Sequence, residues 1–173
     1  MSNHYLIRKA TEGDVLQILK HTKKVISENP NVTGITLNEF TSTLDEEKEW
    51  INSHHTQGLL LVAEVNRSII GLLSFRLSPW KRLCHQGIFE ISIQEKFTNK
   101  GIGASLIKKL LAWAQANQRV EKISLEVFSN NERAIHLYKR LGFIEEGRLK
   151  SHIKLGSNEY VDDVLMSIFI DSS

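Results

Sequence analysis

The sequence predicts a layered α/β or α+β domain: one mixed, mostly antiparallel sheet of about seven strands, with helices on both faces. Three observations carry this. Short apolar runs rich in Val, Ile, Leu and Phe recur along the chain. Between them stand stretches whose apolar residues return at helical spacing. No repeat, low-complexity segment or Pro/Gly/Ser linker interrupts the 173 residues, in which Pro30 and Pro79 are the only prolines. That length suits a single domain, 1–173, with a sizeable core.

The elements follow in order. "HYLIRKA" reads as a short strand. In "TEGDVLQILKHTKKVIS", Thr11 is placed to cap a helix with the stripe Val15, Ile18, Leu19, Val25 and Ile26. "NPNVTGITLNEFT" reads as loop. "TLDEEKEWINS" is a short helix, with Thr43 and Glu46 spaced as a capping box. "LLLVAEV" and "IIGLLSFRL" form a hairpin around the polar turn at Asn66 and Arg67. After the irregular "SPWKRLCHQ" comes a fourth strand, "GIFEISI". A helix then begins near Ile102, its stripe formed by Ile102, Leu106 and Leu110 with Ile107, Leu111 and Ala114. "KISLEVF" is a fifth strand and "NNERAIHLYKRLG" a shorter helix. "FIEEGRLKSHIKL" and "EYVDDVLMSIFI" close the chain as a hairpin.

Composition narrows the function. The chain is 41% hydrophobic and 24% charged, as in ordinary soluble proteins. A formal net charge of +2, with Lys and Arg scattered, gives no nucleic-acid footprint. One cysteine, Cys84, excludes an internal disulfide and a Cys-rich zinc site. "MSNHYLIRKATEGDV" has no basic-then-apolar leader, and no apolar run is long enough to span a bilayer. A cytoplasmic protein without metal, nucleic-acid or membrane partners is expected.

Gly101 and Gly103 stand where the third helix starts, in "KFTNKGIGASLIKKLLAWA". Free amide N–H groups at such an end attract anions, phosphate above all; the alternative is a plain tight turn. A dinucleotide fingerprint is excluded because Leu106 occupies its third glycine position and "QEKFTNK" separates strand from loop. A Walker A loop is excluded because Ala104 follows Gly103.

Two blocks, "ISIQEKFTNKGIGASLIKKLLAWA" and "ISLEVFSNNERAIHLYKRLGFIEEGRLK", resemble in order and spacing the GNAT superfamily of acetyl-coenzyme A-dependent N-acetyltransferases. The branch resembled includes ribosomal-protein and small-amine or amino-acid acetyltransferases. The family's loop pattern is Gln/Arg-x-x-Gly-x-Gly/Ala. This sequence reads Thr98-Asn99-Lys100-Gly101-Ile102-Gly103, so Thr98 departs from it and weakened or rearranged phosphate binding is expected. The later Asn-x-x-Ala-x-x-x-Tyr pattern is intact as Asn131, Ala134 and Tyr138.

The resemblance implies acetyl transfer from acetyl-CoA to a primary amine of a small molecule, amino acid or protein N-terminus, by direct attack in a ternary complex. The alternative is a catalytically weak acyl-CoA-binding or sensor module. It implies that backbone groups of Ile91, Ser92 and Ile93 pair with the pantetheine arm, a form of strand addition. The loop from Thr98 and Asn99 through Lys100, Gly101, Ile102, Gly103 and Ala104 would take the pyrophosphate. Asn131 would bond the arm from the other side, or act only as an N-cap. Tyr138 would protonate the departing thiolate, or only pack on "LGF".

The base stays open among Glu90, Glu126 and water. Glu90 interrupts the apolar "GIFEISI" on the face of Ser92, opposite Ile91 and Ile93. Burial would raise its pKa; the alternative is a Glu paired with Arg76 across the sheet. His85 and His152 read as solvated, and neither Ser105 nor Cys84 has the neighbours of a nucleophile. Glu39, Asp45, Glu46, Glu47, Asp162 and Asp163 are candidate contacts for a cationic acceptor. The apolar "VLMSIFI" suggests a homodimer if it lies at a sheet edge.

Overall fold

The structure is a computed structural model describing residues 4–170. Its order is β1 (Leu6–Lys9), α1 (Val15–Glu28), α2 (Leu44–Gln57), β2 (Gly58–Val65), β3 (Ser68–Leu77), β4 (Gln86–Ile93), α3 (Ile102–Gln115), β5 (Lys122–Phe128), α4 (Glu132–Arg140), β6 (Ile144–Gly156) and β7 (Glu159–Phe169). Seven strands form one sheet in the order β1-β2-β3-β4-β5-β7-β6. Only β4 and β5 pair in parallel; all other neighbours are antiparallel. The predicted architecture is thus present, with four helices.

Local chemistry explains the joints. Asn66 and Arg67 both have positive φ, 49° and 63°, the conformation of a tight hairpin turn that matches strand twist. At α2 the capping box forms: Glu46 N donates to Thr43 Oγ1 (3.3 Å) and Thr43 N to Glu46 Oε2 (2.8 Å). Thr11 does not cap α1 as expected. A 3₁₀ turn at Glu12–Asp14 intervenes, and Thr11 N donates to the Asp14 carboxylate at 2.8 Å. Asp14 is buried and also takes both arms of the Arg8 guanidinium at 2.8 Å. That pairing holds its carboxyl below the usual range.

The sheet separates two cores. On one face α1 and α2 press Val15, Ile18 and Ile51 against Leu60, Val62 and Ile69. On the other, α3 and α4 contribute Ile102, Leu106, Ile107, Leu110, Ala114, Ile135 and Tyr138, packed with Leu73, Phe75, Phe89, Leu125 and Met166. The α3 stripe is the one its spacing predicts. Burial of each such Leu or Ile is worth ~1.5–3 kcal/mol against exposure. Among the described residues no helix is long and apolar enough to cross a membrane.

The closing strand lies elsewhere than expected. β7 is paired on both sides, with β5 and with β6. Its backbone cannot accept a second copy, and the premise of the dimer expectation is corrected: β1 and β6 are the edges.

β4 and β5 meet over only three residue pairs, Gln86↔Lys122, Gly87↔Ile123 and Ile88↔Ser124. Beyond Ile88 they diverge, although β4 runs to Ile93 and β5 to Phe128. The β5-facing side of β4 from Phe89 onward therefore has no strand partner.

Candidate active site

A cleft of about 400 Å³ opens at this divergence. It gathers Ile91, Ser92 and Ile93 from β4, Thr98, Asn99 and Gly101 from the loop, Ile102, Gly103 and Ala104 from α3, and Asn131 and Tyr138 from the start and body of α4. Val25 of α1 and the following Asn29, Val32 and Thr33 form the opposite wall. Of the residues expected here, Lys100, Glu90 and Glu126 do not line the cleft. The Lys100 ammonium instead sits 5.3 Å from the Phe97 ring centroid.

The loop is built to expose amides. Asn99 and Gly101 both hold left-handed backbone, φ 58° and 81°, and such turns turn N–H groups into an anion-sized concavity. Gly101 is the N-cap of α3, and a Cβ on it would meet nothing within 4 Å. Gly103 lies within the first turn, where a Cβ would come 3.3 Å from Leu137 Cδ2. Its smallness lets α3 approach α4.

At the departing position, Thr98 Oγ1 donates to Glu95 O (2.8 Å) and accepts from Arg133 Nη1 (3.1 Å). Arg133 lines the cleft and is paired with Glu95 at 3.2 Å. A cation from α4 thus stands over the place where the family pattern has Gln or Arg. Asn131 caps α4 through Oδ1, accepting from Ala134 N at 3.3 Å. Its amide NH₂ has no partner among the described residues, so capping and ligand contact are compatible.

Tyr138 is buried at 6% exposure, edge-on to Phe89 and Phe143 at centroid distances of 5.9 and 6.1 Å. Burial raises its phenol pKa, so it keeps its proton. Its hydroxyl has no hydrogen-bond partner among the described residues.

Glu90 stands opposite Ser74 on the exposed side of β4. Arg76 is not its partner; that guanidinium donates to Ser53 Oγ at 2.8 Å. Glu90 belongs to a set of carboxylates on the face of the sheet away from α3. Glu126 is raised by desolvation and then by the charges of Asp163 and Glu90, with His152 opposing. Asp163, buried with Oδ1 unpartnered, is raised by desolvation alone, and His152 opposes there too. Three of the other acids considered for the acceptor have structural duties. Glu39 bonds Thr36, Glu46 caps α2, and Asp162 holds Lys150 and the Ser151 amide. Among the described residues no three ligating side chains are placed to hold a metal ion.

One buried network has no motif. His21 of α1, 1% exposed, places Nε2 2.9 Å from Ser92 Oγ, which looks like a nucleophile–base pair. The tautomer decides against it. Gln94 Nε2 donates to Ile69 O at 3.0 Å, which fixes the amide and turns its other N–H toward His21 Nδ1 at 3.4 Å. The ring proton is therefore on Nε2, donated to Ser92, and cannot leave room for Ser92's own. The imidazole orients the Ser92 hydroxyl.

Burial lowers the His21 pKa to about 4 against the ordinary 6.5. The unfolded chain then binds a proton through a window in which the fold does not, so stability falls as pH drops from 6.5 toward 4. The loss approaches ~3 kcal/mol at full extent, with His54, also lowered by burial, acting in the same direction. Thermal melts from neutral to about pH 5 should show a falling Tm, and His21→Gln should flatten the slope. Equal slopes in both proteins would mean that His21 is not held neutral.

A profile of the acetyltransferase (GNAT) family matches residues 29–143. The chain belongs to the GNAT acetyltransferase family. This GNAT family member is 32% identical over 107 residues to the L-amino acid N-acetyltransferase AaaT of Escherichia coli. That alignment spans 62% of this chain and 65% of the relative, less than two thirds of its length. It is 28% identical over 152 residues to the spermidine N(1)-acetyltransferase of Vibrio cholerae, spanning 86% and 84%. The crystal structure of a GNAT-family acetyltransferase from Streptococcus pneumoniae superposes with a TM-score of 0.89 at 26% identity. It covers 97% of this GNAT chain and all of its own. The structure of the acetyltransferase yncA of Salmonella typhimurium, which holds its cofactor acetyl-CoA, superposes with a TM-score of 0.84 at 21% identity, covering 98% of this chain and 96% of its own.

Proposed function

We propose that the chain, as one domain, transfers the acetyl group of acetyl-CoA directly to a primary amine in a ternary complex. The supporting observation is the single cleft at the β4–β5 divergence, which collects a free strand edge, an amide-rich helix start and a buried phenol. The pantetheine amides pair with β4 at Ile91–Ile93. The pyrophosphate rests on the Thr98–Ala104 amides, the α3 dipole favouring its charge and Arg133 supplying a cation.

The acceptor arrives as an ammonium, since an alkylamine has a pKa near ~10. The carboxylates Glu90, Glu126 and Asp163 attract it, and Glu126, raised by burial and then by its neighbours' charges, takes the proton through water. The neutral amine attacks the thioester carbon, the carbon–sulfur bond breaks and the thiolate takes its proton from Tyr138; the second proton, shed by the acylated nitrogen, returns through water to the phenol.

Thiol release from acetyl-CoA, measured against a panel of amines, amino acids and peptides, tests this. At least one acceptor should stimulate release, with a rate that falls at low pH, and Glu126→Gln should lower turnover and move that acidic limb. Binding of coenzyme A without acceptor-dependent release from any class would reduce the chain to a sensor. A limb unmoved in Glu126→Gln would return the base to Glu90 or to water.

A further inference from the structure

The C-terminal end of α3 carries a second cavity, of about 240 Å³, that the acetyl-transfer reading does not use. The 14 residues of α3 place it about 21 Å from the glycine loop. Its rim holds Lys9 of β1, His55 of α2 and Arg119 of the α3–β5 connection, and no carboxylate among the described residues lines it. None of these three side chains forms an ion pair among the described residues.

The wall also contains His54, only 2% exposed. Its Nδ1 lies 2.7 Å from Trp50 O. A carbonyl only accepts, so Nδ1 carries the proton and neutral His54 leaves Nε2 bare. No described residue bonds Nε2. A buried imidazole with one nitrogen committed inward and the other open is an unusual thing to leave unpartnered. The charges acting on it, Arg76 of β3 and its neighbour His55, are both positive, and Lys9 and Arg119 extend the same sign around the rim.

We propose that this cavity binds one small tetrahedral oxyanion, a sulfate- or phosphate-type group, held by Lys9, His55, Arg119 and a protonated His54 Nε2. The excess of donors over acceptors selects an anion, and the volume admits a small one while falling below the usual ~300–1,000 Å³ of larger ligands. Binding takes up a proton from solvent at Nε2, because the anion supplies the negative charge this imidazolium otherwise lacks.

The test follows the His54 ring by NMR in the full chain during titration with sodium sulfate, using sodium chloride at matched ionic strength as control. Sulfate keeps its charge between about pH 6 and pH 8, so any pH dependence belongs to the protein. A saturable His54 shift absent with chloride is expected, at least tenfold tighter near pH 6 than near pH 8. The exposed substitutions Arg119→Ala and Lys9→Ala should each weaken it about tenfold without disturbing the buried ring. A non-saturating shift, one equal in chloride, or one unchanged by both substitutions overturns the site. Acetate binding as tightly as sulfate overturns the tetrahedral assignment. Sulfate caught by the glycine loop alone would leave His54 unmoved, which also counts against the proposal.

Discussion

Gly101→Val is expected to weaken coenzyme A binding by on the order of a hundredfold while the domain stays folded. Gly101 holds φ 81°, a conformation that costs an L-residue roughly 1–2 kcal/mol and a β-branched one more. A Cβ there would meet nothing within 4 Å, so an added side chain projects into the room a phosphate would use. Losing two hydrogen bonds to a charged group, at about 1.5 kcal/mol each, corresponds to about a hundredfold in affinity. Gly103 is a less clean probe, since a side chain there meets Leu137 and separates α3 from α4. Calorimetry with coenzyme A should compare Gly101→Val with Gly101→Ala, which shares the backbone strain but leaves more room. Unchanged affinity in folded Gly101→Val would put the phosphates elsewhere.

Tyr138→Phe should lower kcat and kcat/KM together by about a hundredfold, with coenzyme A affinity preserved. The substitution keeps the ring edge-on to Phe89 and Phe143 and deletes only the hydroxyl with its proton. General acid catalysis is typically worth ~10²–10⁴-fold. Two facts point to the lower end: a thiolate, of pKa about 8.5, leaves with little help, and burial makes this phenol part with its proton reluctantly. A loss confined to the transition state moves both kinetic constants equally. The melting temperature should hold or rise slightly, because a buried hydroxyl without a protein partner is removed. Full turnover in the folded variant would assign the proton to water and return Tyr138 to packing.

What could be read ahead of the structure was local. The Thr43–Glu46 box, the Asn66–Arg67 turn and the α3 stripe each depend on residues within a few positions, and each formed. The helix containing Trp50 ran on to Gln57, four residues past "WINS", and ends where the Gly58 amide donates to His54 O. The misses were long-range. Nothing in "VLMSIFI" says that β6 folds outside it, so its apolar composition reads equally as edge or interior. His21 and Ser92 are 71 positions apart, and Arg133 reaches Thr98 across 35; no spacing rule links them. Within the site, the loop and α4 residues were legible through their motif. The carboxylate set was only half legible, since Glu126, Asp163 and His152 meet across strands whose register is set by tertiary packing.

The three-pair junction between β4 and β5 has a consequence for how the chain holds together. β1 to β4 and β5 to β7 are each stitched by long antiparallel ladders, whereas the halves are joined by three parallel pairs and by the helices above them. Such a seam is where sub-global opening starts, and long crossovers of this kind assemble after local hairpins. A ligand arm lying along β4 would act as a missing strand and raise the opening free energy of both halves at once. Evolution could have closed the seam by continuing the ladder to Ile93 and Phe128. The resulting protein would be sturdier and would have no slot left for chemistry.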